Sequence, residues 1–356
     1  MRPLKIAIVS GFWGQNIGNA FFNIGGKWIL EQVLPGAQIN YVLDQPGYRT
    51  FNDQSKGNPV NDWGMIARLD IDIIVLEGPM LTVNFPALWE DTFRTLTARG
   101  VKIVLLGAAM FRFNEEEKRV NLEFLTRYKP FILSSRDEPT YDTFKECADH
   151  SHCGLDSAFF VPRAYTPFKL KTAPYVAMNF DRWPEPMVTL DADNVRPGTR
   201  DFTWEGRTWH LDFPSLLMKW ADRNKWWSYF AAFADRRKLS GDLGGMEVVR
   251  PEHRFNPHIT PKIYKRPNAV ASDEPWTYFT VYANATLTVS DRVHACIITM
   301  AYGNPAVLFS PSPRSMVFDR LGLESVREKP TTLNPEFLLQ EQEAELDFLK
   351  RAFSSL

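Results

Sequence analysis

Cysteine is scarce in this 356-residue chain: Cys147, Cys153 and Cys296 are all it has. So few, and an odd number, exclude a disulfide-stapled scaffold and point to a reducing compartment, the cytoplasm. Long apolar runs are missing as well; nothing approaches the roughly 18 to 20 residues that a membrane-crossing helix needs. The apolar stretch Leu4 to Val9 breaks at Ser10-Gly11 without a cleavage-like pattern of small residues, so it reads as a buried strand, not a signal peptide. Neither sign of charge is in excess, with 41 Lys plus Arg against 42 Asp plus Glu and a net charge of -1. A nucleic-acid-binding surface normally brings a basic surplus, so only a local basic pocket is left open. Also absent are a G-x-G-x-x-G turn and a Walker lysine, which removes support from the standard dinucleotide and P-loop readings.

What is present is ample core material, 44% hydrophobic residues in a chain longer than one core usually fills. Short β-branched runs alternate with amphipathic stretches through the first half. Strands are expected at Leu4–Ser10, Ile39–Leu43, Ile71–Leu76, Val101–Leu106, Phe131–Ser134 and Ala158–Val161, with helices at Ala20–Val33, Ala87–Arg99, Glu115–Tyr128 and Glu138–Glu146. A Pro- and Lys-bearing stretch, Pro162–Pro174, reads as a linker. Beyond it, strands are expected at Tyr175–Asn179, Met246–Val249, Thr286–Val289 and Ala306–Phe309, and helices at Ser215–Asp235, Glu274–Ala283 and Val293–Tyr302. The organisation expected is α/β, with two Rossmann-like doubly wound domains facing a cleft: residues 1–165, residues 172–334, and a closing helix in 335–356. The polar, Trp-rich excursion Asp181–Phe213 is too long for an ordinary connection and is expected to border the cleft.

Five constellations could carry chemistry. The turn Ser10 to Asn19, with Asn16, Gly18 and Asn19, offers helix-start amides to an anion, or simply caps a helix through Asn16 or Asn19. Ser290-Asp291-Arg292-Val293-His294 places a permanent cation and an imidazole in a first helical turn, where they can converge on an anion or serve as packing and a surface salt bridge. Arg136, with Asp137 and Glu138, follows the fifth expected strand and can reach the cleft or merely favour the next helix. The run Cys147 to Cys153, with His150 and His152, has zinc-type ligands but is too crowded to close a tetrahedron readily. Finally Trp204, Trp209, Trp220, Trp226 and Trp227 suit either a sugar platform or core packing.

Taken in order, Asn16-Ile17-Gly18-Asn19, Arg136-Asp137-Glu138, Gly154-Leu155-Asp156-Ser157-Ala158-Phe159, Ser290 to Ala295 and Gly303-Asn304-Pro305 form a series that resembles the polysaccharide pyruvyl transferase family. The resemblance implies a fold similar to GT-B glycosyltransferases and transfer of pyruvate from phosphoenolpyruvate to a sugar or glycan acceptor as a ketal. It implies no metal and no cofactor beyond the donor. It further implies Arg136 and Arg292 as the donor clamp and His294 as general acid or phosphate partner, all three catalytic. Asn16, Gly18, Asn19, Glu77, Asp291 and Val293 fall to substrate binding, with Asp291 and Glu77 as candidates for the unassigned base. The family commonly carries an acidic residue where Asn19 stands, and glycines where Glu77-Gly78-Pro79 stands. Contact with a lipid-linked acceptor and oligomer formation are left open, and no nucleic-acid partner is expected. The alternatives are a glycosyltransferase of the same architecture, with Arg292 on a nucleotide-sugar diphosphate and Glu77 or Asp44 on a ribose, and a non-catalytic carbohydrate-binding relative.

Overall fold

The computed structural model describes residues 2–44, 64–254, 266–310 and 312–356. The first sheet is built from β1 (Lys5–Ser10), β2 (Gln38–Leu43), β3 (Ile73–Glu77), β4 (Lys102–Ala108), β5 (Ile132–Ser135) and β6 (His150–Cys153), in the order β2-β1-β3-β4-β5-β6. All its pairings are parallel. Strands β3 and β4 are almost wholly buried, which is why they read as unbroken apolar runs rather than alternating ones. Strand order reverses between β1 and β3, so the loops that follow these strands diverge and open a crevice at their carboxyl ends.

The second sheet starts with β7 (Tyr175–Asn179). The chain then leaves it to form β8 (Met187–Leu190), β9 (Arg200–Trp204) and β10 (Arg207–Asp212), a small antiparallel sheet ordered β8-β10-β9. It returns through two helices, Ser215–Arg223 and Lys225–Ala234, to β11 (Asp242–Leu243), β12 (Met246–Pro251), β13 (Ala269–Val270), β14 (Leu287–Ser290) and β15 (Ala306–Leu308). The main order is β11-β12-β7-β14-β15, with β13 on β12, and a second reversal falls between β7 and β14. One apolar core runs from sheet to sheet through the helix Gly18–Val33, the turn at Ala158–Phe160 and the helix Val293–Ala301. The two crevices therefore face each other across a packed junction.

Several expectations change, among them the single helix expected at Ser215–Asp235, which breaks at Asn224 into Ser215–Arg223 and Lys225–Ala234. The Trp-rich excursion is no open loop: Phe202, Trp209 and Leu211 bury against Val176, Met178, Val289 and Val307 and roof the second sheet. The short strand expected at Ala158–Val161 is helical, Ser157–Phe160 forming a 3-10 turn that runs into the helix Val161–Ala164. Asp156 Oδ1 accepts the Ala158 amide at 2.9 Å, and that cap starts a turn in a run whose side chains alone suggest extension. The sixth strand is instead His150–Cys153, where successive side chains leave opposite faces. His150 meets Ser355 Oγ at 3.1 Å, and His152 stacks on Phe348. No group of three or more His, Cys, Asp or Glu is placed to hold a metal among the described residues.

The closing helix, Pro335–Phe353, starts at Asn334, whose Oδ1 accepts the amides of Glu336 and Phe337. It crosses back to the first sheet, where Glu345 accepts Ser134 Oγ at 2.6 Å and the Leu155 amide at 3.0 Å. Gly154 makes this approach feasible, because a Cβ there would lie 1.7 Å from Glu345 Oε2. No helix among the described residues is long and apolar enough to cross a membrane.

Candidate active site

The crevices meet at a pocket whose first-sheet wall is Asn16, Asn19, Pro79 and Arg136. Its opposite wall is the turn Asp291 to His294 together with Ser310 and Arg314. The strand-turn-helix after β14 dictates the second wall. Arg292 is the N-cap of the helix Val293–Ala301 in extended conformation, and no side chain caps that helix. The amides of Val293 and His294 thus open the helix beside the pocket, where the helix dipole favours negative charge. The Arg292 amide itself donates to Ser290 Oγ at 2.9 Å, which fixes the turn.

Arg292 spans the cleft. Its Nη2 donates to Asn16 Oδ1 at 2.9 Å, and its Nε lies 3.5 Å from Asp181 Oδ2. Asn16 Nδ2 donates in turn to Asn19 Oδ1 at 2.9 Å. Neither asparagine caps the helix Gly18–Val33, which has no side-chain cap, so their amides serve the cleft instead. Gly18 permits a close approach between the halves: a Cβ there would stand 3.0 Å from His294 Nδ1.

His294 and Arg136 are held by one carboxylate. Asp156 Oδ2 accepts Arg136 Nη1 at 2.5 Å and lies 3.4 Å from His294 Nε2. Burial pushes the Asp156 carboxyl up, but His294, Arg136 and the Ala158 amide outweigh it and hold it well below the usual carboxylate range. Burial lowers the His294 imidazole below its ordinary value, and Asp156 only partly offsets this. Arg136 is 2% exposed, and its Nε has no hydrogen-bond partner among the described residues. Asp156 was not singled out as a functional residue from sequence; its place just past the carboxyl end of β6 is the signal that could have found it.

Two of the sequence candidates have other occupations. The Asp291 carboxylate accepts the backbone amides of Asp181, Arg182 and Trp183 at 3.1, 2.8 and 2.7 Å, which ties the loop after β7 to the turn after β14. Burial and the neighbouring Asp181 push Asp291 up to about 6. Glu77 lies beneath the helix Gly18–Val33, against Gly26, and accepts Asn23 Nδ2 at 2.8 Å. Burial pushes it up to about 8. Val293 is partly buried and packs on the shared core, so what it offers the pocket is its amide.

Arg314 is a second residue that sequence reasoning missed. Its Nε donates to Ser312 Oγ at 3.0 Å, and its guanidinium lies over the Phe111 ring at 4.7 Å. No carboxylate pairs with it among the described residues. Burial, then the charges of Arg292, Arg136, Arg254 and Arg182, push it down to about 9. Its position beyond β15, at a strand carboxyl end, was the available clue. Three arginines and a helix start thus share one pocket; Asp156 pairs with Arg136 and Asp181 lies near Arg292, while Arg314 has no paired carboxylate among the described residues. Such a site suits a small ligand carrying more than one anionic group.

The model of the polysaccharide pyruvyl transferase family matches residues 16–313 of this chain. No curated protein sequence matches it. Among solved structures, an S. aureus MnaA–UDP co-structure is similar with a TM-score of 0.53 at 10% identity, covering 98% of this chain and 90% of that one. A UDP-N-acetylglucosamine 2-epimerase is similar with a TM-score of 0.50 at 10% identity, covering 99% and 91%. At these identities the likeness is one of fold, and that fold is GT-B-like.

Proposed function

Because the chain belongs to the polysaccharide pyruvyl transferase family, we propose that it transfers the pyruvyl group of phosphoenolpyruvate to a sugar in this pocket, forming a ketal. The observation that carries the reading is the convergence of Arg136, Arg292 and Arg314 on the uncapped start of the helix Val293–Ala301. Phosphoenolpyruvate bears a carboxylate and a phosphate on the same carbon, C2, so it needs several fixed cations and amide donors. Its negative charge relieves the mutual repulsion that depresses Arg314.

Burial lowers the His294 imidazole below its ordinary value, and an anionic donor beside it raises its proton affinity. The imidazolium gives its proton to the C3 methylene of the enol, leaving C2 electron-poor next to the clamped carboxylate. A sugar hydroxyl bonds to C2 and returns its proton to His294. The bond from C2 to the phosphate oxygen then breaks, a second hydroxyl of the same sugar closes the ketal, and phosphate leaves with that hydroxyl's proton. Asp156 holds the ring by Nε2 and balances the imidazolium. No cofactor and no enzyme nucleophile enters this scheme.

Calorimetry with phosphoenolpyruvate, alongside phosphate release with sugar acceptors, tests the reading. Binding that weakens in both Arg136→Gln and Arg292→Lys supports it. A protein that ignores phosphoenolpyruvate but is stabilised by nucleotide sugars would count against it.

A further inference from the structure

The helices Ser215–Arg223 and Lys225–Ala234 carry their apolar residues on the wrong side for a water-facing hairpin. Among the described side chains of the second helix the buried ones are small, Ser228 and Ala231, whereas Trp226, Phe230 and Phe233 are 66%, 49% and 59% exposed. Leu216 on the first helix is 60% exposed. The rings form a cluster, with Trp220 against Phe230 at 5.5 Å and Trp227 against Phe230 at 5.6 Å. A surface helix ordinarily turns such residues inward, and a contiguous apolar patch of this kind marks an interaction site.

The charges around it are one-sided. Lys219 and Arg223 are exposed one turn apart on the first helix, and Arg236 and Lys238 are exposed just beyond the second. The nearby acids are already engaged: Asp222 accepts Trp183 Nε1 at 2.8 Å, and Asp235 pairs with Arg237. A chain of net charge -1 thus carries a local basic rim around an aromatic face. Aromatic rings at headgroup depth, with Lys and Arg reaching lipid phosphates, are the chemistry of an interfacial helix on an anionic membrane. Two-fold pairing of the same face would set these four cations near copies of themselves, which disfavours a second copy as the occupant.

The hairpin is also mechanically joined to the pocket. Ser228 Oγ donates to the Arg182 carbonyl at 2.7 Å, and the Arg182 and Trp183 amides are held by Asp291, beside Arg292. We propose that the hairpin Ser215–Ala234 docks the protein on an anionic lipid bilayer, aromatic face down, and so sets the mouth of the cleft close to the headgroups. The docking does not depend on which donor the pocket holds.

The test is flotation of the full chain with vesicles of phosphatidylcholine alone and with about 30 mol% phosphatidylglycerol. Binding is expected only to the anionic vesicles and should weaken when salt is raised. The triple variant Trp226→Ser, Phe230→Ser, Phe233→Ser and, separately, the pair Lys219→Glu, Arg223→Glu should each lower partitioning roughly tenfold or more. Circular dichroism should match the parent, which shows that the hairpin stays folded when the Phe230 ring contacts are removed. Parent protein that stays off anionic vesicles, or folded variants that bind as the parent does, would overturn the proposal. So would a parental dimer that the aromatic variant converts to monomer without any change in vesicle binding.

Discussion

Arg292 and Asn16 lie 276 positions apart in the chain, yet the guanidinium Nη2 of one donates to the side-chain oxygen of the other at 2.9 Å. One side chain therefore serves both the cleft junction and the anion pocket. Arg292→Lys keeps the charge but loses the planar fork that can hold Asn16 and an anionic oxygen together. Calorimetry should show phosphoenolpyruvate binding weakened by about 1 to 3 kcal/mol. Asn16→Ala, which leaves the guanidinium in place, should cost less.

Replacing His294 with Gln keeps polar size but removes proton transfer near neutrality. Turnover should fall by about a hundredfold or more, while donor affinity changes far less. Phosphate release measured against pH should also lose the limb that belongs to the imidazole. Turnover equal to the parent's would take His294 out of the chemistry.

Arg314 titrates in the fold below its ordinary value, at about 9, so its charged form is disfavoured there. That cost is fully present at neutral pH and fades only as pH rises from about 9 toward the unfolded value. Arg314→Gln should accordingly raise the melting temperature at pH 7 while lowering affinity for phosphate and phosphoenolpyruvate. A variant that melts lower and binds equally well would contradict both halves.

Gly18→Ala tests positioning. Alanine favours the helix, but its Cβ would stand 3.0 Å from His294 Nδ1 and disturb the placement of the ring against Asp156. The protein should stay folded, with donor affinity nearly kept and kcat reduced.

Glu345 is buried and pushed up to about 7, so the fold prefers its protonated form. Its stabilising protonation is present at low pH, and stability should decline as pH rises from about 4.5 to about 7. Glu345→Gln can accept the Leu155 amide and donate to Ser134 Oγ without a charge. Denaturant melts should show the variant close to the parent at pH 5 and more stable at pH 8.

Much of the sheet architecture could be read from the chain because parallel strands covered on both faces appear as plain apolar runs, as in Ile73–Glu77. The helices Glu115–Tyr128 and Pro335–Phe353 begin where expected because Asn114 and Asn334 cap them. Ala158–Val161 misled because its turn starts with a hydrogen bond from the Ala158 amide to the Asp156 carboxylate, which residue pattern does not reveal. Arg292 and His294 stood out since a strand, a turn and a helix frame them. Arg314 did not, as its Pro- and Ser-rich loop has no period to anchor it. For Asp291 and Glu77, sequence supplied the carboxylate but not its direction, and each proved to face protein donors.

The closing helix has a consequence for synthesis. Ser134 and Glu345, which hold each other, are 211 positions apart. While the ribosome is still making the second sheet, the outer strands β5 and β6 stand without the helix that later covers them. Contacts of such separation form late and slow folding. The first lobe thus stays partly open until the last helix has emerged, and its bare apolar flank is then the part of the newborn chain most in need of chaperone cover.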